Sequence, residues 1–486
     1  MNSVRGLVSV RRLRPRLPAI AVAAATALFI VLYSMLVLRR YDAFNYYAFD
    51  LGIFDQGIWL LSRVEEPFIT LRGLNLFGDH SSYITVLLVP LYWIWGDVRL
   101  LLVVTVVLIG AGIPLVYLIA RAHGLGKWVG AGLATAFSLH PAVAWLTWDN
   151  FHPELVAFPL LLAAYLAALH RRRWAVLLAL GLVLACKEDA ALVVIPFGLY
   201  LWWGMKQKTT GWIAAGMGLL VALLNFQVLL PHFSPTGELL YADRYAQWGD
   251  GFLGILWGVI SRPFRVVDEF FEADRIRYLA QMLLPLPAAL LAPAVLLVAV
   301  PITAANLFTT FFYQYDIKYH YSVYLAAIVG IAAVAGVARL ARRRAHLVPP
   351  ATVMVLAAAL VGNIIASPSP IGLSDQGYWP DGAAERRAIE AALDAIPADA
   401  AVSAEATIAA HLSQRRSIYE FPSPFIRWKW GTLDGPDPDP DPDDVDWIVA
   451  RPSFLGDWRH IIDPLLASSG WETVIRSDAV VVLRRR

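Results

Sequence analysis

Residues 17–38 read LPAIAVAAATALFIVLYSMLVL, 22 positions without one charged side chain. At 1.5 Å per residue, a helix of that length reaches ~33 Å, enough to cross a hydrocarbon layer about 30 Å thick. Arg11, Arg12, Arg14 and Arg16 precede it, and Arg39 and Arg40 follow. The stretch is long for a secretory signal and lacks a small-x-small cleavage site followed by soluble sequence. It therefore predicts an uncleaved first span whose basic start lies in the cytoplasm. Comparable apolar runs recur along the first three quarters of the chain.

Composition agrees with that reading. The 486 residues are 58% hydrophobic and 16% charged, with a mean hydropathy of +0.57, so lipid must cover much of the surface. A net charge of +2 points to no nucleic-acid partner. The single cysteine, Cys186, lies in an apolar run; it excludes an intrachain disulfide and reads as a small buried residue.

Orientation follows from the basic loops. Leu100–Ile119 runs into Arg121, His123 and Lys127. Leu155–Leu169 runs into Arg171–Arg173, Ala190–Trp203 into Lys206 and Lys208, and Ser322–Ala338 into Arg339–Arg344. With those loops cytoplasmic, loop 39–82, Asp149–Glu154, Lys187–Asp189 and the residues after Pro231 share the outer face. Tyr83–Trp95 is short and holds Pro90, so it reads as a juxtamembrane helix within an outer loop 39–97. Trp128–Trp148 reads as one span. Tyr278–Ala305, interrupted by Pro285, Pro287, Pro293 and Pro301, reads as two short kinked spans. The expectation for residues 1–366 is an all-α, multi-pass protein of the cell (plasma) membrane with about 11 transmembrane helices and its N-terminus in the cytoplasm.

From Ser367 the composition changes, and residues 367–486 predict a small extracytoplasmic α/β domain. Its expected elements are helix Glu385–Ile396, strand Ala401–Ser403, helix Ile408–Leu412 and strand Arg416–Glu420. Strand Trp447–Ala450, helix Ile461–Ser468 and strands Glu472–Ile475 and Val480–Leu483 complete it. Residues 436–444, an Asp-Pro repeat, form a stiff acidic linker. No glycine-rich phosphate loop occurs there, so no cofactor is assigned to it.

Ionisable residues near hydrocarbon are costly and mark function. Four acidic patches fall on the expected outer face. Asp50 and Asp55, just after the first span, would be offset by about 140° on a helix and need not share a site; solvated carboxylates on an interfacial helix are the plainer alternative. Asp79 and His80 precede the juxtamembrane helix, where Asp79 also suits a helix N-cap. Asp149, His152 and Glu154 form a short loop whose carboxylates and imidazole suit a divalent cation, Mg or Mn, or simply a wet loop. In Lys187-Glu188-Asp189, the lysine must pair with a carboxylate or an anionic ligand. Arg244, Lys318 and His320 add cations and a histidine among tyrosines, fit either for phosphate and sugar or for interface anchoring. Together these groups suit a lipid-phosphate substrate.

The same residues resemble the GT-C glycosyltransferase superfamily. More closely, Tyr46–Trp59, Gly78-Asp79-His80, His152-Pro153-Glu154, Lys187-Glu188-Asp189 and the tail segments Leu412–Arg415 and Ile418–Pro422 resemble a family of predicted prokaryotic membrane proteins of unknown function within it. The resemblance implies transfer of a sugar from a polyprenyl-phosphate donor to a glycan, lipid or protein acceptor on the outer face. It implies hexosyl- or pentosyltransferase activity, with Asp50 as general base and Asp55 in reserve. Asp79, His80, Lys187, Glu188, Asp189, Arg244, Lys318 and His320 would hold substrate, and Asp149, His152 and Glu154 a metal. The sequence departs from the superfamily where Leu51 replaces the second acid of an Asp-Glu pair, and Gly78-Asp79-His80 lacks the prolines of the related segment. Two other functions fit the composition: a transporter or flippase of a lipid-linked or polar solute, and a scaffold acting through its C-terminal domain.

Overall fold

The computed structural model describes residues 16–234, 237, 240–374, 376–377, 382–426 and 442–486. Arg11, Arg12 and Arg14 lie outside the described residues, as does the Asp-Pro linker up to Asp441; Pro442–Asp444 form a 3-10 turn.

The apolar runs become helices. α1 covers Leu17–Asp42 and is followed by the loop expected on the outer face (the outer loop), which holds α2 (Ile53–Ser62) and a small hairpin of β1 (Phe68–Ile69) and β2 (Leu74–Asn75). Tyr83–Tyr92 is a short, broken apolar helix, a 3-10 segment running into one α turn at Pro90. α3 is Arg99–Ala122. The expected single span Trp128–Trp148 is instead two helices, α4 (Lys127–Ser138) and α5 (Pro141–Trp148), bent by 52°. Pro141 has no N–H to continue the ladder and begins the second helix. His140 caps that helix: its Nδ1 accepts from the Ala142 N–H at 3.2 Å, while Nε2 meets the Met282 carbonyl at 2.9 Å.

α6 (Ala157–Leu169) and α7 (Arg173–Leu184) pack as one hairpin, and α8 (Ala191–Trp203) and α9 (Lys208–Phe233) as another. Two helices not expected from sequence follow, α10 (Gly251–Ser261) and α11 (Pro263–Phe270), then α12 (Ala273–Leu283). The proline-rich stretch breaks into short turns before α13 (Val300–Leu307). α14 (His320–Arg343) is the centre of the bundle: 89% of its apolar window is buried, against 22–56% for the other helices of spanning length. A Cβ on its Gly330 would lie 2.4 Å from the Phe137 ring, so only glycine permits that approach. α15 is Ala345–Ala366.

Among the described residues, α1, α3, α9, α14 and α15 are each long and apolar enough to cross a membrane alone, and the bent α4–α5 pair adds a sixth. The other expected spans are shorter helices, so the count of about 11 does not correspond to full-length spans throughout.

The C-terminal region forms a five-stranded mixed sheet in the order β4-β3-β5-β7-β6. β3 (Val402–Ala404) runs parallel to β4 (Ile418–Glu420) and β5 (Trp447–Ala450), while β7 (Val481–Arg485) is antiparallel to β5 and to β6 (Trp471–Arg476). α16 (Ala383–Leu393) and α17 (Arg459–Ala467) accompany the sheet. The expected helix Ile408–Leu412 shrinks to a turn, Ala406–Ala409, because the chain leaves the helical path to send Ser413 and Gln414 into the outer loop. In return, Phe44 and Ala48 of the outer loop are buried in this sheet's core with Val402, Ile408 and Trp447.

Candidate active site

After α1 the chain turns sharply. Phe49 is extended, and Asp50 takes a φ of +67°. A non-glycine residue there is strained, and such strain persists only where the surroundings over-determine it. The Asp50 carboxylate, 29% exposed, lies 3.3 Å from His152 Nε2. Asp55 points elsewhere. It is fully buried and accepts from the Tyr92 hydroxyl at 2.8 Å, Ser413 Oγ at 2.7 Å and Gln414 Nε2 at 3.1 Å. Burial pushes its carboxyl up to about 6, although the three donors pull it down. Asp55 therefore ties the outer loop to the juxtamembrane turn and the C-terminal domain, and does not join Asp50.

The loop after α5 faces Asp50. The His152 ring stacks on His320 with centroids 3.4 Å apart. Burial works against a charged His152, but Asp50, then Glu154 and Asp149, outweigh it and hold the imidazole up to about 9. Asp149 Oδ2 accepts the His320 backbone N–H at 3.0 Å. Glu154 takes Lys187 Nζ at 2.9 Å, both side chains at most 5% exposed. Two long-separated segments are thus joined by a buried ion pair, whose removal on one side only would leave a bare charge.

Lys187–Asp189 sits in the turn between α7 and α8. Glu188 Oε1 meets His80 Nδ1 at 2.8 Å, and Oε2 accepts the Ser81 N–H at 3.2 Å. Asp189 accepts the Tyr324 hydroxyl at 3.1 Å. Burial lifts Asp189 to about 6, with Lys187 opposing and Glu188 adding to the rise. Asp79 is buried against Arg72 at 3.1 Å and also accepts from the Tyr241 hydroxyl. Burial would raise its carboxyl, but Arg72 above all, then His80 and Tyr241, bring it down to about 2. A Cβ at Gly78 would stand 2.3 Å from the Phe233 carbonyl, so this segment lies flush on the end of α9.

The expected site residues separate into those brought together and those not. Asp50, Asp149, His152, Glu154, Lys187 and His320 meet directly, with His80, Glu188 and Asp189 alongside. Arg244 joins through Tyr321: its guanidinium reaches the Tyr321 hydroxyl at 3.4 Å, and Lys187 Nζ lies 4.9 Å from the Tyr321 ring. Arg244 also stacks on Tyr241 and Phe311, at 4.2 and 3.9 Å, and has no carboxylate partner among the described residues. Lys318 instead lies over Trp145 at 5.7 Å, and Asp55 belongs to the domain contact. Arg72 was missed; a lone arginine between Leu71 and Gly73 carries no motif, and only burial reveals its pairing.

The expected metal set changes membership. Ligand atoms of Asp149, His152 and His320 lie within 4.8 Å of one another, while Glu154 is engaged by Lys187. The two imidazoles stack at 24°, so their lone pairs lie in nearly parallel planes and do not meet at one ion. A bound cation requires one ring to turn.

A crevice of about 270 Å³ opens beside Trp148, lined by Arg40, Tyr47 and Asn45 on one side and Thr407 and Arg451 of the C-terminal domain on the other.

Two solved structures share the architecture. ArnT from Cupriavidus metallidurans bound to undecaprenyl phosphate is 13% identical, with a TM-score of 0.50 over 95% of this chain and 98% of that one. ArnT in the apo state is 14% identical, with a TM-score of 0.51 over 94% and 98%. At these identities the likeness shows the fold alone, an ArnT-like arrangement of membrane helices, here with a small C-terminal sheet domain. No curated protein matches the chain. Residues 40–482, most of the chain, match one family, and the chain belongs to it: the predicted membrane protein family DUF2079.

Proposed function

We propose that this protein is a GT-C-type glycosyltransferase that moves a sugar from a polyprenyl-phosphate donor to an acceptor hydroxyl, with Asp50 as general base. The observation that carries this reading is the strained, part-exposed Asp50 held at 3.3 Å by His152 at the mouth of a buried charged cluster. In support, the fold is one in which ArnT binds undecaprenyl phosphate.

The steps follow from the charges. Asp50 takes the proton of the acceptor hydroxyl as its oxygen bonds to the anomeric carbon. The bond from that carbon to the phosphate oxygen breaks, and polyprenyl phosphate leaves with the electron pair. His152, protonated, pairs with the Asp50 carboxylate and orients it. Of the cations expected to hold phosphate, Lys187 is already committed to Glu154 and Lys318 lies over Trp145, so Arg244 takes the principal role, with Tyr321 between it and Lys187. The acceptor enters by the Trp148 crevice, where the exposed Tyr47 offers a ring face and Arg40 a guanidinium, while Arg451 is held by Glu405. The site and C-terminal domain face the outer compartment, with the N-terminus cytoplasmic, in keeping with the basic loops at the other end of the helices.

The test is an Asp50→Asn variant that inserts normally, assayed with a labelled polyprenyl-phosphate sugar. Glycan or glycolipid output equal to that of the unaltered protein would sink the assignment.

A further inference from the structure

At the end of α6, α7, α8 and α9 away from the acidic cluster, two turns come together. The α6–α7 turn carries Arg171, Arg172 and Arg173, and the α8–α9 turn carries Lys206 and Lys208. Gln207 Nε2 links the turns by donating to the Ala168 carbonyl at 2.8 Å. Between them lies an open cavity of about 880 Å³ lined by all five cations, together with Trp174, Gln207 and Thr209. No carboxylate lines it, and none of the five cations has a carboxylate partner among the described residues. α7 separates this cavity from Lys187–Asp189 by ~18 Å of helix, so it is distinct from the candidate active site.

The surroundings point to what fills it. Trp174 lines the cavity and is 72% exposed; one turn deeper on the same face of α7, Leu178 is 66% exposed. On α9, Lys208 is followed one turn deeper by Trp212, 57% exposed. α9 thus has an exposed apolar ring one turn below its first cation, and on α7 the exposed Trp174 lies against Arg173 with Leu178 one turn deeper. A free phosphate would use only the cations. A phospholipid would use both, with its phosphate among Arg172, Arg173 and Lys208 and its acyl chains along Trp174, Leu178 and Trp212.

We infer that this cavity is a binding site for the phosphate headgroup of an anionic phospholipid, on the membrane face opposite the candidate active site. Five cations without counter-charge select anionic over zwitterionic headgroups, because the choline of the latter brings a positive charge into an already positive cavity. The inference does not depend on the transferase reading.

The test uses the full chain in nanodiscs of equal phosphatidylglycerol and phosphatidylcholine, with retained lipids counted by native mass spectrometry. The unaltered protein is expected to retain phosphatidylglycerol preferentially. An Arg172→Gln/Lys208→Gln variant, which keeps three cations so that the loops stay basic, should lose that preference by on the order of tenfold or more, each cation contributing about fivefold. Equal retention of both lipids by the unaltered protein overturns the proposal, as does a variant that inserts normally and retains phosphatidylglycerol undiminished. Added inorganic pyrophosphate should displace no more phosphatidylglycerol than sodium chloride of the same ionic strength. Specific displacement by pyrophosphate would overturn the lipid assignment, and that arm needs no variant.

Discussion

The two ends of α6, α7 and α8 treat charge in opposite ways. At one end Glu154 and Lys187 are buried and Glu188 half-buried, and each has a partner within 3.2 Å. At the other, Arg171, Arg172, Arg173, Lys206 and Lys208 are exposed and have no carboxylate partner among the described residues. Desolvation explains the contrast. A buried charge without a counter-charge costs several kcal/mol, so the fold must pair it, while water serves an exposed cation equally well. Paired charges are therefore held in place and shape the site, and unpaired ones stay available to an incoming anion.

The comparison can be broken or sharpened by substitution. The largest effect is expected from Asp50→Asn, which removes the proposed base: transfer should fall by about 10²–10⁴-fold, with thermal stability little changed because the side chain is part-exposed. Lys187→Met should cost about 3–5 kcal/mol by stranding Glu154, and Lys187→Met/Glu154→Leu should recover most of it. Chemical unfolding in detergent measures both, and a single variant as stable as the unaltered protein would erase the distinction between the two ends.

A pH profile probes the same cluster. His152 has its proton held up to about 9, so it is charged below that value and loses its charge as pH rises through it. Transfer at constant donor should decline on that alkaline limb, and a His152→Gln variant should lack the limb. Next in size, Ser413→Ala takes one of three donors from the buried Asp55 carboxylate, and about 1–3 kcal/mol should be lost. Limited proteolysis should then release the C-terminal domain sooner. At the smallest end, Arg172→Gln on the exposed side should change stability by less than about 0.5 kcal/mol. A loss comparable to that of Lys187→Met would mean that the basic end also contains a hidden pair.

Much of the membrane region was legible because its signal is local. Apolar length, flanking cations and prolines lie within single segments, and they place α1, α3 and α14 within a few residues. The acidic patches were legible too, since a carboxylate near hydrocarbon stands out wherever it occurs. The bend at His140–Pro141 was missed because a continuous apolar run hid a proline that starts a new helix. The partnerships were not legible. Asp50 and Asp55 look equivalent five residues apart, yet one meets His152 and the other Ser413, 358 positions away.

By itself, then, the chain of residues determined that lipid surrounds most of this protein, where its main helices begin and end, and which charged residues merit attention. Hydrophobicity and charge act residue by residue, so order along the chain suffices to read them. Only the tertiary structure decided that Lys187 answers Glu154 while Arg244 has no carboxylate partner among the described residues, that His320 stacks on His152, and that Arg72 neutralises Asp79. Those choices depend on which helices lie side by side. Burial then imposes pairing on whatever charges the packing has enclosed.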